Sequence, residues 1–172
     1  MPRPLGIVLL GALDDRILEE VVTTVREKLG TDVSVLGRTS CEAGFDGRRR
    51  QWRADVMINQ CMRKFSSPSR FCVGLTGADL YMPGLNFIFG LAVREGLGIV
   101  SWHRLQDEEG RFTIRLAKEV IHEVGHLEGL DHCSDETCVM WFSNTLRETD
   151  KKKADFCPTC RLKRTKGQGD GG

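Results

Sequence analysis

The sequence lacks the features of a membrane-spanning, secreted or strongly charged protein. Its longest apolar stretch covers only residues 5–13, whereas a helix that crosses a bilayer needs about 20 apolar residues. It also lacks the basic start and small-residue cleavage site of a secretory signal. With 25 basic and 24 acidic residues, the net charge is only +1, so no strong field attracts nucleic acid or a membrane surface. We therefore expect a cytoplasmic protein without a membrane or nucleic-acid partner.

Neither disorder nor a multidomain organisation is indicated by the composition. The chain has 172 residues, of which 40% are hydrophobic and 28% charged, as in ordinary globular proteins. A chain of this length can bury a substantial core in one domain with a small appendage. We expect it to act as a monomer.

The order of apolar and polar residues predicts an α/β fold. A continuous apolar run and an alternating segment are typical of strands, and a helix with Asp14 and Asp15 at its start separates them before Gly30. The βαβαβ order that follows predicts a mostly parallel, twisted sheet with an antiparallel edge strand, two backing helices and a final long helix. The predicted strands are 6–13, 32–36, 71–75, 86–93 and 98–102, and the predicted helices are 14–29, 48–64 and 110–130.

The final helix carries a metal-binding pattern. His122 and His126 are four residues apart, which places both imidazoles on one face of a helix within reach of one zinc ion. Glu123 lies beside them, where it can take a proton from water. Gly129 permits a left-handed turn after the helix, so that His132 can return to the open side of the metal. The full pattern is HExxHxxGxxH.

The seven cysteines fall into two groups. Cys41, Cys61 and Cys72 have no ligand-type spacing, and we interpret them as small, buried or semi-exposed residues. Four others crowd into 28 residues with the spacing of a tetrahedral thiolate site, namely Cys133, Cys138, Cys157 and Cys160. Disulfides or free thiols are the alternative, but a reducing compartment favours metal. We expect a structural zinc here, with Lys151–Lys153 or Arg161 offsetting its negative charge.

The zinc pattern and the cysteines together resemble one family. HExxHxxGxxH is the signature of metzincin metallopeptidases, and Cys133, Cys138, Met140 and the late pair Cys157 and Cys160 are similar to archaemetzincins. The resemblance implies a metzincin-like α/β fold with His122, His126 and His132 as catalytic zinc ligands, Glu123 as general base and Met140 in the turn below the metal. With the structural site, we expect two zinc ions per chain.

The same resemblance suggests a division of the chain. We expect residues 1–130 to form an N-terminal α/β subdomain that ends in the active-site helix. Residues 131–161 would form a small, irregular, zinc-stabilised subdomain with the third histidine, the methionine turn and the four cysteines. Residues 162–172, rich in glycine and charge, would be a flexible tail.

The predicted reaction is hydrolysis of peptide bonds, with a peptide as the partner. We expect the substrate to lie along an edge strand at 86–91, against Asn86, Phe87, Phe89 and Gly90. Because few residues precede the first predicted strand, we expect no inhibitory prosegment. Restricted access and short peptides, as in an aminopeptidase, are therefore expected.

Two alternatives compete with this interpretation. Many metzincins place a tyrosine just after the turn methionine, but Trp141 and Phe142 follow Met140 here, and Tyr81 is the only tyrosine. A zinc-stabilised binding protein with little turnover is therefore the first alternative. The second is a nucleic-acid contact through the basic C-terminal end, which the absence of interleaved aromatic residues disfavours.

Overall fold

A computed structural model describes residues 2–167, which form eight strands and five α-helices. The strands are β1 (Leu5–Leu10), β2 (Val33–Thr39), β3 (Phe45–Asp46), β4 (Gln51–Arg53), β5 (Phe71–Thr76), β6 (Leu80–Tyr81), β7 (Gly90–Val93) and β8 (Leu97–Ser101). The helices are α1 (Asp15–Leu29), α2 (Ala54–Met57), α3 (Phe112–Leu127), α4 (Leu146–Lys151) and α5 (Pro158–Gly167). Helix α2 continues into a π turn at Ile58–Met62 and a 3-10 turn at Arg63–Phe65.

The main sheet has five strands in the order β2-β1-β5-β8-β7. The first four are parallel, and β7 pairs antiparallel with β8 at the edge. This confirms the predicted α/β class and the antiparallel edge strand. A second, small sheet joins β3, β4 and β6.

Both faces of the main sheet are covered, as its parallel strands require. In β1, Leu5, Ile7 and Leu9 face the core that α1 and α3 share, whereas Val8 and Leu10 face α2 and its π turn. This alternation follows from the two-residue period of a strand. Because both faces are apolar, every residue of β1 is buried.

Helix α1 begins and ends where its sequence predicts. The Asp14 carboxylate accepts hydrogen bonds from the backbone N–H groups of Arg16 (2.9 Å) and Ile17 (3.4 Å). Gly30 adopts φ = 65° after the last turn, and its N–H donates to the carbonyl oxygen of Arg26. Local capping chemistry therefore determines both ends of this helix.

Three predicted segments are corrected by the structure. The helix expected over 48–64 begins only at Ala54, because residues 45–53 form β3, β4 and the turn between them. The strand expected over 86–93 is limited to Gly90–Val93. Helix α5 includes residues 162–167 of the expected flexible tail, and the rest of that tail lies outside the described residues.

Buried ion pairs attach α4 to α3. Arg115 is 2% exposed, and its Nε and Nη2 each donate to one oxygen of Asp150 at 2.6 Å. Its Nη1 also lies 3.0 Å from Asp107. One turn along α3, Lys118 donates to the carbonyl oxygen of Thr149 at 3.0 Å. The segment around α4, which follows Met140 in the chain, is thereby held against the long helix α3.

Replacing Arg115 by methionine is expected to lower the free energy of unfolding by about 3–5 kcal/mol at neutral pH, because Asp107 and Asp150 lose a buried partner. Arg115 and hydrogen bonds hold the pKa of Asp150 below its usual range. This stabilisation is therefore complete above about pH 4 and is lost as the pH falls through the lowered pKa. Urea denaturation at pH 7 and pH 3 measures it. Arg111→Met is the matched control, since Arg111 contacts the same carboxylates but is 45% exposed. An equal loss in both variants would contradict the prediction.

Candidate metal centre and cleft

Helix α3 and the turn after it bring three histidines together. His122 and His126 lie one turn apart with their Nε2 atoms at 3.0 Å. Gly129 adopts φ = 90°, and the N–H of Leu130 reaches back to the carbonyl oxygen of Gly125. This turn carries His132 to the same point, where one ring nitrogen of each histidine lies within 4.8 Å of the others.

The surroundings of the histidines fit a zinc ion. Nδ1 of His122 donates to the carbonyl oxygen of Val139, and Nδ1 of His126 donates to that of Leu130, both at 2.8 Å. A carbonyl oxygen can only accept, so each Nδ1 carries the proton and each Nε2 offers a lone pair. Burial holds the pKa of His122 well below its usual range and also lowers that of His132. Neutral imidazoles with directed lone pairs are what zinc requires.

Met140 packs directly beneath this centre. A Cβ atom added to Gly125 would collide with Sδ of Met140 and lie 3.2 Å from the ring of Phe156. The helix can approach the methionine this closely because residue 125 has no side chain. Next in the chain, the Phe142 ring lies against His132 with the centroids 4.9 Å apart. The Tyr81 hydroxyl donates a hydrogen bond to Asp46, away from the three histidines.

Glu123 lies against the edge strand. Burial and the nearby Glu119 raise the pKa of Glu123 to about 8, and Lys152 opposes that rise. A Cβ atom at Gly90 of β7 would lie 2.5 Å from Oε1 of Glu123. The glycine in the strand therefore provides the space that the carboxylate occupies.

Replacing Gly90 by alanine is expected to reduce the predicted peptide hydrolysis by about 10–100-fold, because the Glu123 carboxylate must move by roughly 1 Å. Stability should fall by about 1–3 kcal/mol, because the new methyl group also meets Cγ and Cδ of the buried Glu123 side chain at 2.8 and 2.9 Å. Steady-state kinetics and urea denaturation measure the two effects. Gly37→Ala in β2 is the control, because nothing lies within 4 Å of its Cβ position. Unchanged activity in Gly90→Ala would refute the prediction.

A cavity of about 380 Å³ lies between β7, α3 and the segment after Met140. Of the residues expected to contact substrate, Phe87, Phe89 and Gly90 line it, whereas Asn86 is absent from its walls. The Asn86 carbonyl oxygen instead accepts hydrogen bonds from Arg49 (3.0 Å) and Gln51 (2.8 Å). The cavity walls consist of Met82, Leu85, Phe87, Ile88, Phe89, Gly90, Leu91, Ala92, Glu119, His122, Glu123, His126, His132, Phe142, Ser143 and Asn144.

The four clustered cysteines also converge. Their sulfur atoms lie within 4.8 Å of one another, with 3.7 Å between Cys133 and Cys157. Backbone N–H groups of Cys157 and Cys160 point to sulfurs of the cluster at 3.3 and 3.5 Å, which favours thiolates. The N–H of Cys133 donates to the carbonyl oxygen of Met140 at 2.9 Å. The cluster is therefore directly connected to both His132 and the methionine turn.

Three of the four expected cationic neighbours of this cluster contact other groups. Lys152 forms a buried ion pair with Glu119, and Lys151 pairs with Glu136. Arg161 donates to the carbonyl oxygen of Phe156. The electropositive groups that the structure shows in contact with the sulfur atoms include the backbone N–H groups of Cys157 and Cys160.

Cys41 and Cys61 are joined by a disulfide, with their Cα atoms 6.1 Å apart. Both are half-buried, which agrees with their interpretation as semi-exposed residues, but the disulfide between them was not predicted. They meet only because the π turn after α2 faces the loop after β2, and the spacing of the two residues contains no sign of this contact. Cys72 is a buried free thiol, as expected, and burial raises its pKa to about 11.

The basic C-terminal residues do not all face solvent. Lys152 is 1% exposed, and Arg164 lies against Glu128 and the ring of Phe156. Two of the charges that suggested a nucleic-acid contact are therefore committed to ion pairs. Among residues 2–167, no helix combines the length and hydrophobicity needed to cross a bilayer.

Two residues near the centre were not identified from the sequence. Glu119 lines the cavity one turn before Glu123, and Lys152 lies behind it. Helical periodicity could have placed Glu119 on the same face as Glu123. No local signal could have identified Lys152, because it reaches the site through the tertiary packing of α4.

Comparison with known proteins gives one consistent result. Residues 47–166 match the family model described as peptidase family M54. An archaemetzincin of Haloquadratum walsbyi is 37% identical over 166 residues, covering 90% of this chain and 95% of the relative. One of Pyrobaculum aerophilum is 45% identical over 118 residues, covering 68% of this chain and 73% of the relative.

Solved structures agree with the sequence comparisons. The archaemetzincin of Methanopyrus kandleri superposes with a TM-score of 0.87 at 32% identity, covering 97% of this chain and 96% of that one. The Archaeoglobus fulgidus archaemetzincin, complexed with malonate, gives 0.82 at 30% identity, with 93% and 99% covered.

Proposed function

Because the chain belongs to peptidase family M54, the archaemetzincins, and is thus a zinc metallopeptidase, we propose that it hydrolyses short peptides at the three-histidine centre with Glu123 as general base. The single observation that carries this proposal is the convergence of His122, His126 and His132 beside a buried carboxylate. Zinc held by three imidazoles supplies a Lewis acid that makes water more acidic and polarises a carbonyl group.

The protein's own residues supply position and proton transfer. The carbonyl oxygens of Val139 and Leu130 orient the imidazoles of His122 and His126. The Glu123 carboxylate accepts a proton from water and then donates it to the nitrogen of the leaving amine. The peptide itself aligns with β7, whose unpaired edge offers backbone donors and acceptors.

The shape of the cleft supports short substrates. The loop between β6 and β7 forms one wall. Arg49 fixes this loop by donating hydrogen bonds to the carbonyl oxygens of Leu85 and Asn86. Gln51 also donates to the carbonyl oxygen of Asn86. The opposite wall carries Phe142 and Asn144. The resulting space of about 380 Å³ is the size of a few side chains, which favours short peptides. A second zinc, held by the four cysteines, maintains the segment that bears His132 and Met140.

The test is zinc-dependent cleavage of a mixed peptide pool. We expect a strong chelator to abolish cleavage and added zinc to restore it, with elemental analysis following the zinc-to-chain ratio. Magnesium is the matched control, because it prefers oxygen ligands and should restore nothing. Undiminished cleavage by verified zinc-free protein would exclude the proposed centre.

A further inference from the structure

Glu119 presents a second carboxylate to the cleft. It lies on α3 one turn before Glu123, lines the same cavity and is 3% exposed. It belongs to neither the histidine pattern nor the cysteine cluster. The proposed hydrolysis gives it no task, and a buried carboxylate requires a charged or hydrogen-bonding partner.

Lys152 holds Glu119 from the protein side. Its Nζ lies 3.0 Å from Oε1 of Glu119, and its side chain is fully buried. The Thr149 hydroxyl approaches the same Oε1 at 3.5 Å. Lys152 does not itself line the cavity. Glu119 is thus held at Oε1 by residues behind the cavity while it also forms part of the cavity lining.

Apart from the histidine centre, much of the cavity lining is apolar and suits the stem of a cationic group. Side chains from the loop before β7 and from β7 itself are apolar, including Phe87, Ile88 and Leu91. Within residues 2–167, two carboxylates and no lysine or arginine line the cavity. An ammonium or guanidinium group is the chemistry that pairs with a carboxylate in such a lining.

A carboxylate that is paired with one cation can accept a second. Elsewhere in this protein one carboxylate serves two cations, since Asp150 contacts both Arg115 (2.6 Å) and Arg111 (3.1 Å). A substrate cation at Glu119 would repeat that arrangement, with Lys152 as the cation that the protein itself supplies.

We propose that Glu119 is a specificity-determining residue that binds a cationic group of the peptide substrate, with Lys152 as its positioning residue. This inference rests on the proposed function, because it requires a peptide in this cleft. The cation has two possible sources, the free N-terminal ammonium or a lysine or arginine side chain, and both have the same recognition chemistry.

Matched peptides separate the two sources. One pair differs only by acetylation of the N-terminus, and a second pair differs only by norleucine in place of lysine. We expect wild type to show a KM at least about 10-fold lower for the cationic member of one pair, with kcat changed less, because one charge-assisted contact is gained. No preference in either pair, alongside zinc-dependent cleavage, would overturn the inference and leave the proposed function intact. Failure to cleave any peptide with zinc bound would instead overturn the proposed function.

Variants assign the preference to Glu119. In Glu119→Gln the preference should disappear through a rise in KM for the cationic peptide alone. This variant leaves Lys152 buried without its partner and can unfold, so Glu119→Gln/Lys152→Met, which removes both charges, is measured as well. Glu128→Gln is the matched control, since Glu128 pairs with Arg164 just after the same helix and outside the cavity. Equal loss on both members of a peptide pair would indicate a structural role only and overturn the proposal.

Discussion

Replacing Glu123 by glutamine is expected to lower kcat by about 10²–10⁴-fold, the contribution of a positioned acid–base group. The amide has nearly the same shape as the carboxylate, so the contact with β7 is preserved, but it cannot accept the proton from water. KM should change little, because the peptide binds mainly through the strand edge and the apolar walls.

Zinc content and stability distinguish this loss from a structural one. Glu123→Gln should retain the wild-type zinc-to-chain ratio by elemental analysis, since Glu123 is not among the three converging histidines. The matched comparison is His126→Gln, which should lose both zinc and activity. Near-wild-type turnover by zinc-loaded Glu123→Gln would show that another group moves the proton.

Replacing Cys157 and Cys160 together by serine is expected to release one zinc ion and to unfold the C-terminal segment. Structural zinc sites contribute roughly 10–16 kcal/mol in isolated zinc-binding peptides, which exceeds what the few apolar residues of this segment can replace. Limited proteolysis should then cut within 131–160 while the sheet stays protected. Peptide cleavage should fall by more than about 100-fold, because His132 loses its support.

The control for this variant is Cys72→Ala. Cys72 is buried in β5 and remote in sequence from the cluster, so its loss should leave the zinc content unchanged. If the double serine variant kept two zinc ions per chain and resisted the protease, the thiolate site would be refuted.

The sequence was most informative where short-range chemistry determines structure. Asp14 and Gly30 delimit α1 through their own hydrogen bonds and backbone angles. His122 and His126 share a helix face because four residues make about one turn. The α/β class follows from the alternation of apolar strands with helices, and all of this is local information.

Prediction failed where distant segments decide the outcome. Residues 48–53 were assigned to a helix, yet the tilted rings of Phe45 and Trp52 lie 4.7 Å apart across a short hairpin that β6 completes. Arg50 there adopts φ = 55°, a left-handed conformation that a helix does not use. Tertiary pairing outweighed local propensity here. The ion pair between Glu119 and Lys152 likewise joins residues that are distant in sequence.

Because His132 and Cys133 are adjacent in the chain, we expect metal binding at one proposed zinc centre to raise the metal affinity of the other. The N–H of Cys133 is bonded to the carbonyl oxygen of Met140, so ordering the thiolates also places the third imidazole. Linkage is reciprocal: whatever factor the thiolate zinc adds to the affinity of the histidine centre, the histidine zinc adds to the affinity of the thiolates. The catalytic ion would therefore act as a stabiliser of the distal site, and its removal would make the thiolate-bound ion easier to extract.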